Sequence, residues 1–241
     1  MQGYLPDLAR VHDAGFTSFS LGAAPFLLRA LREHGIGRGL VVDLGCGGGQ
    51  WAEKLQDAGY DVLGVDRSRA MVALASRRVP GGRFVRASYL DAKLPRCVAV
   101  TALGEVFNYA FDPRAGTRGL ARILGSAHRA LEPGGLLLFD VATPGRGAGS
   151  PVRHRAGPGW EIVSETSEDA RTAILTRRIT TFRRVGKLYR RSVEVHRLRL
   201  YEPRAVLELL RRAGFRARRL AGYGAERFPK AYAGFLARKP S

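Results

Sequence analysis

The chain of 241 residues can bury one sizeable core, and its 45% hydrophobic and 25% charged content excludes a disordered or fibrous polypeptide. Two cysteines, Cys46 and Cys97, are too few for a disulfide framework or a structural zinc site, and no apolar run approaches the roughly twenty residues needed to span a bilayer. The net charge of +19 is almost wholly arginine, with Lys only at positions 54, 93, 187, 230 and 239, so codon bias, an anionic small substrate and nucleic acid compete to explain it.

At the start of residues 1–22, Met1 to Arg10 mix Gln2, Asp7 and Arg10 with apolar residues and show no charged-then-apolar signal pattern, so cytoplasmic residence is expected. Within them, residues 4–19 (YLPDLARVHDAGFTSF) are more aromatic than a disordered tail and read as a cap segment. Residues 23–34 predict a helix with Pro25 in its first turn and Gly35 just past its end. Residues 39–44 (GLVVDL) form a continuous apolar run closed by an acid, the pattern of a strand buried on both faces. A helix over 50–58, a strand over 61–65, a helix capped by Ser68 and running to 78, and strands over 83–85 and 98–103 follow. Residues 114–131 predict a helix that stops at Pro133-Gly134-Gly135, and 136–140 (LLLFD) a fifth strand. Alternating strands and helices with short connections define an α/β fold, a doubly wound and mostly parallel sheet.

The rhythm changes after Thr143. Residues 144–159 are rich in Gly, Pro and Arg and read as a loop, followed by β-rich segments at 161–166, 172–184 and 187–200. The last two predict a hairpin turning at Val185-Gly186, which would set Arg177 opposite Glu194. Residues 150–200 thus form an antiparallel β insertion, too small for an independent domain. Its edge strands would allow a homodimer. A helix over 203–213 and strands over 215–223 and 231–238 complete a single domain spanning 1–241.

The sharpest motif is Val41-Val42-Asp43-Leu44-Gly45-Cys46-Gly47-Gly48-Gly49, a strand entering a glycine turn that opens a helix. Glycines there let backbone approach a ligand closely. Dinucleotide enzymes use G-x-G-x-x-G in the same place, but here the third glycine is Gly49 and Gln50 holds the dinucleotide position. Asp43 would also repel a pyrophosphate, whereas it suits a ligand with an ammonium and a sulfonium. Asp66 ends the second strand, where a carboxylate can take two ribose hydroxyls; the competing reading is a turn or capping residue.

On these residues the chain resembles class I S-adenosylmethionine (SAM)-dependent methyltransferases. VVDLGCGGG resembles their first motif, GVDRSRAM their ribose-binding segment, and Leu131-Glu132-Pro133-Gly134-Gly135 the element before strand five. The resemblance implies a Rossmann-like seven-stranded sheet with an antiparallel last strand, SAM as methyl donor and S-adenosylhomocysteine as product. It implies a cofactor site of Asp43, Gly45, Cys46, Gly47, Gly49, Asp66, Arg67, Met71 and Leu103. Many relatives carry Gly-Asp after strand three; Ala87-Ser88-Tyr89 stands here, so the adenine would be held by Ser88, Tyr89 and Asp91. It also implies that the insertion over 150–200 lies across the active-site mouth as a lid or dimer surface, and that the N-terminal segment folds over SAM, bringing Tyr4, His12 or Phe16 near the pocket.

The residues after strand four should face the acceptor. They lack the Asn/Asp-Pro-Pro-aromatic motif of nucleobase amino-group methylation, and neither cysteine has a C5-pyrimidine context. Glu105 is the first candidate for orienting or deprotonating the acceptor, with Asn108 and Tyr109 as hydrogen-bonding wall and His196 as a second candidate. A small-molecule N or O nucleophile is the expected acceptor. RNA, a non-catalytic SAM-binding module and, last, a dehydrogenase are the alternatives. No metal is expected.

Overall fold

The structure is a computed structural model that describes residues 3–149 and 151–241; Met1 and Gln2 of the expected cap and Ser150 of the expected insertion lie outside the described residues. Five parallel strands follow one another in the first half: β1 (Leu40–Leu44), β2 (Asp61–Asp66), β3 (Arg83–Arg86), β4 (Cys97–Ala102) and β5 (Leu131–Ala142). Helices α1 (Pro6–Gly15) and α2 (Ser18–Glu33) precede them, while α3 (Gln50–Asp57), α4 (Arg69–Arg78) and α5 (Thr117–Ala130) connect them. With β10 (Arg216–Leu220) and β13 (Tyr232–Arg238) the sheet has seven strands in the order β10-β13-β5-β4-β1-β2-β3, and β13 runs antiparallel to both neighbours. This is the doubly wound, mostly parallel α/β sheet expected.

Strand alternation divides the core. Val42, Leu44, Leu137 and Phe139 face α5 and α6 (Pro203–Arg212), whose Leu120, Leu124, Val206 and Leu210 are buried there. Val41, Leu136 and Leu138 face the opposite layer with Leu27, Leu31, Trp51 and Leu55. Both faces are covered, so β1 and β5 need continuous apolar runs, and the strand ends above the sheet are left free to build a site.

Several boundaries differ from expectation. Helix α2 begins at Ser18 rather than 23 and carries Pro25 in its interior. The proline withholds an N–H from the carbonyl of Leu21, which lies on the exposed side of the helix, where the loss is least costly. Helix α5 ends at Ala130 and β5 starts at once, but the ladder to β4 jumps from Cys97–Leu131 to Ala99–Leu136. Residues 132–135 bulge out there; a Cβ on Gly135 would stand 2.9 Å from two backbone oxygens. The strand expected over 215–223 breaks at Ala221, and β11 (Gly222–Tyr223) turns off to pair with β12 (Glu226–Arg227).

The insertion is a four-stranded antiparallel sheet of β6 (Val152–Gly157), β7 (Trp160–Asp169), β8 (Ile174–Val185) and β9 (Leu188–Arg199). Strand β6 occupies part of the expected loop; it is an exposed edge paired only with β7, which is why its sequence reads as polar. The β8–β9 turn sits one residue later than expected, at Gly186-Lys187. The pairing therefore shifts by two, and Arg177 stands opposite His196, not Glu194. Helix α1 packs on the insertion through Leu8, Val11, Trp160, Ile162 and Ile179. No single helix among the described residues is long and apolar enough to cross a membrane.

Candidate active site

A cavity of about 800 Å³ opens above the carboxyl ends of β1, β2 and β4. The glycine turn and Asp66 form its floor, the N-terminal segment a wall, and the inner face of the insertion its roof. Its size suits a small-molecule ligand.

The floor is backbone held in place by side chains. Gly45 (φ 68°) lies so close to the segment after β4 that a Cβ would stand 2.5 Å from Val106. Gly47 (φ 54°) has nothing within 4 Å of a Cβ position and leaves that space to the cavity. Asp66 accepts the Gly47 N–H at 3.0 Å and the Ser68 N–H at 2.8 Å, tying the turn to β2. Burial raises its pKa above the usual carboxylate range. Asp43, 3% exposed, accepts a hydrogen bond from the Thr101 hydroxyl at 2.7 Å, and the Trp51 indole N–H fixes that hydroxyl at 3.1 Å. Burial, opposed by Thr101 and reinforced by Asp66, pushes Asp43 up to about 7. Cys46, Arg67, Met71, Ser88, Tyr89 and Leu103 also line the cavity. Burial drives the Cys46 thiol well above its ordinary pKa, so it is a packing group.

Two floor expectations need correction. Gly49 (φ 85°) does not line the cavity; its Cα sits against α4, where a Cβ would stand 3.0 Å from Ala75, so it serves helix packing. Asp91 is half exposed and bound to Arg114, outside the cavity. Its neighbour Asp112 lines the cavity instead, accepting from Ser88 at 2.9 Å and from Arg114.

After β4, Gly104 (φ 85°) and Glu105 (φ 64°) are both left-handed, a conformation that costs a non-glycine residue about 1 kcal/mol. Asp140 holds them there. This fully buried carboxylate accepts the N–H groups of Gly104 at 2.9 Å and Glu105 at 2.7 Å, and the hydroxyls of Tyr223 and Tyr232. Burial, countered by those donors, raises it to about 6. The Glu105 side chain, buried in the cavity, accepts from Arg146 Nε at 2.9 Å and Arg177 Nη2 at 3.3 Å. Burial pushes its pKa up, but the two guanidiniums outweigh that and hold it below the ordinary value.

Tyr109 lines the cavity, and its hydroxyl meets that of Tyr4 at 2.8 Å. Asn108 does not line it: the 3₁₀ turn Val106–Asn108 swings its amide away, to clamp the backbone of Ala142 and Arg199. His196 also lies outside the lining. It is fully buried behind Tyr4 and Tyr109, with ring centroids at 5.1 and 5.7 Å, and bonds Glu194 at 3.0 Å. Glu194 in turn accepts the Leu5 N–H, so the pair pins the N-terminal segment. That segment sends Tyr4, Leu8, His12 and Phe16 into the cavity and is latched by Asp7 to Arg183 and Arg190, and by Asp13 to Arg78 and Gln50. Burial lowers His12 to about 4, so it is neutral.

Residues 41–135 match a family described as a methyltransferase domain. A ubiquinone biosynthesis O-methyltransferase of Alkalilimnicola ehrlichii is 30% identical over 108 residues, 42% of this chain and 40% of that protein. The chain thus matches about two fifths of the length of such curated relatives. Over the whole chain, a SAM-dependent methyltransferase from Clostridium acetobutylicum is 18% identical with a TM-score of 0.82, covering 97% of this chain and 98% of that one. The sugar N-methyltransferase KedS8 from Streptoalloteichus is 23% identical with a TM-score of 0.81, covering 100% and 96%. These likenesses show the fold. Residues 41–135 thus resemble a methyltransferase domain, and the whole chain has the fold of a methyltransferase that depends on SAM as its cofactor. The floor fits that cofactor: the buried Asp43 side chain has one hydrogen-bond partner among the described residues and faces the cavity, and Gly47 leaves it open space.

Proposed function

We propose that the protein is a SAM-dependent methyltransferase acting on an N or O nucleophile of a small molecule. The observation that carries this reading is one cavity with a carboxylate floor beside an enclosed wall of Tyr4, Tyr109, Glu105 and His12. SAM, when bound, supplies a methyl group on a positively charged sulfur. Asp43 would hold its ammonium and Asp66 its ribose hydroxyls, with Met71, Ser88 and Tyr89 beside the adenine. Transfer of a methyl group demands alignment and a water-poor site more than proton chemistry. The N-terminal segment and the insertion exclude water. Glu105 and the paired tyrosine hydroxyls orient the acceptor. A carboxylate held below its ordinary pKa and an imidazole lowered to about 4 are weak bases, which favours a nucleophile whose attacking lone pair needs no prior deprotonation. KedS8 is named as acting on a sugar and the Alkalilimnicola relative as an O-methyltransferase, in keeping with a small acceptor. The reading includes cytoplasmic residence.

The test is calorimetric titration of the protein with S-adenosylhomocysteine, with NADH as control, at low and moderate salt. Salt-insensitive binding of S-adenosylhomocysteine alone is the expected result. Failure to bind it overturns the reading.

A further inference from the structure

The charges around the cavity are segregated. The floor presents Asp43 and Asp66 with one arginine, Arg67, and the third floor acid, Asp112, is committed to Arg114 and Ser88. The roof presents Arg146, Arg153, Arg155 and Arg177 against the single carboxylate of Glu105. Such a cavity attracts a cation at one end and an anion at the other.

The roof arginines are set by strand alternation. Arg153 on β6 pairs across to Ser164 on β7, and Thr166 on β7 pairs to Arg177 on β8, so guanidiniums and hydroxyls share the inner face of the sheet. Arg155 lies over the Phe16 ring at 4.5 Å, at the mouth. Deeper in, Arg146 and Arg177 have side chains only 18% and 21% exposed. Each guanidinium spends one N–H on Glu105 and makes no other hydrogen bond among the described residues, and that of Arg146 also lies over the Tyr232 ring at 5.4 Å. Glu105 balances one of these two charges. Their remaining guanidinium N–H groups face the cavity without a protein acceptor, and a planar or tetrahedral oxyanion would engage several at once.

We propose that this inner sheet face is a subsite for an anionic group of the acceptor, a carboxylate or a phosphate, gripped by Arg146 and Arg177 and drawn in past Arg153 and Arg155. The inference rests on the methyltransferase reading and specifies its substrate class. A molecule that spans the cavity places its anion on the roof and its nucleophile near Glu105 and the tyrosine pair, toward the floor.

The test titrates inorganic pyrophosphate and citrate, separately, into protein saturated with S-adenosylhomocysteine. At least one should bind saturably at a single site with Kd below about 10 mM. Preference for pyrophosphate assigns a phosphate, and preference for citrate a carboxylate. Arg177→Gln should weaken that binding at least about tenfold, the loss expected for a charge-assisted hydrogen bond. Should Arg177→Gln fail to fold because Glu105 loses a partner, the Arg153→Gln/Arg155→Gln double variant, on an exposed edge strand, should weaken it about threefold. S-adenosylhomocysteine affinity should stay at the wild-type value in the folded variants. Absence of saturable anion binding, or anion binding unchanged in the variants, overturns the subsite. Loss of S-adenosylhomocysteine binding by the wild-type protein instead overturns the methyltransferase reading.

Discussion

Most of the floor of the cavity is built from residues between Asp43 and Met71, neighbours in sequence on two adjacent strands and the segments that follow them. Its roof and wall come from Tyr4, Glu105, Arg146, Arg177 and Tyr232, spread over almost the whole chain. Floor geometry is set by covalent connection and by a parallel ladder buried on both faces. Roof geometry is set by side chains that meet across long separations: Tyr4 with Tyr109, Glu105 with Arg177, Asp7 with Arg190. A site of this kind can keep one half constant and vary the other without disturbing the core. That division explains why a cofactor is easier to assign here than an acceptor.

The largest effect on the floor is expected at Asp66. Asp66→Ala removes the carboxylate that faces the cavity and also frees the Gly47 and Ser68 N–H groups it holds. Affinity for S-adenosylhomocysteine should fall about a hundredfold, the loss of two charge-assisted hydrogen bonds, while circular dichroism stays native. Calorimetry checks it; wild-type affinity in the variant would remove Asp66 from the floor's binding role.

Asp43 gives a smaller, pH-dependent effect. Its pKa of about 7 in the folded protein stands above the roughly 4 of an unfolded aspartate. Between those values the folded state retains a proton that the unfolded chain has lost, so this residue's contribution to stability declines as pH rises through that window. A ligand ammonium favours the ionised form, so S-adenosylhomocysteine affinity should change in the opposite sense. It should climb about tenfold from pH 5.5 to 7.5 and level off above, with proton release below pH 7. Asp43→Asn should flatten the profile. A flat wild-type profile would show that the ammonium lies elsewhere.

What the sequence made legible follows the same division. Asp43, Gly45, Gly47 and Asp66 were readable because strand, turn and acid recur at fixed short spacing. Asn108 was not, because the parity of a three-residue 3₁₀ turn decides whether a side chain faces cavity or core, and composition does not encode it. Arg177 was assigned the wrong partner because a two-residue hairpin turn displaced by one residue moves every cross-strand pair by two. Asp140 read simply as the end of an apolar strand. Its role rests on donors from residues 104, 105, 223 and 232, which only the folded sheet assembles, although a buried acid closing LLLFD was the available signal.

The smallest expected effect lies in the wall, and it is the sharpest probe of the comparison. Tyr4→Phe removes one hydroxyl and leaves the ring that packs on His12, Tyr109 and His196. The Tyr109 hydroxyl loses its partner but borders the cavity, where water or ligand can replace it. The segment keeps its other ties, from Leu5 to Glu194, from Ser68 to the Tyr4 carbonyl and from Asp7 to two arginines. The net loss of one such hydrogen bond is about 1 kcal/mol at most. Affinity for S-adenosylhomocysteine should therefore change no more than about threefold, and the melting temperature by a few degrees at most. A loss approaching that of Asp66→Ala would mean that the wall grips the cofactor as firmly as the floor does, and the two halves of the cavity would then have to be treated as one binding surface.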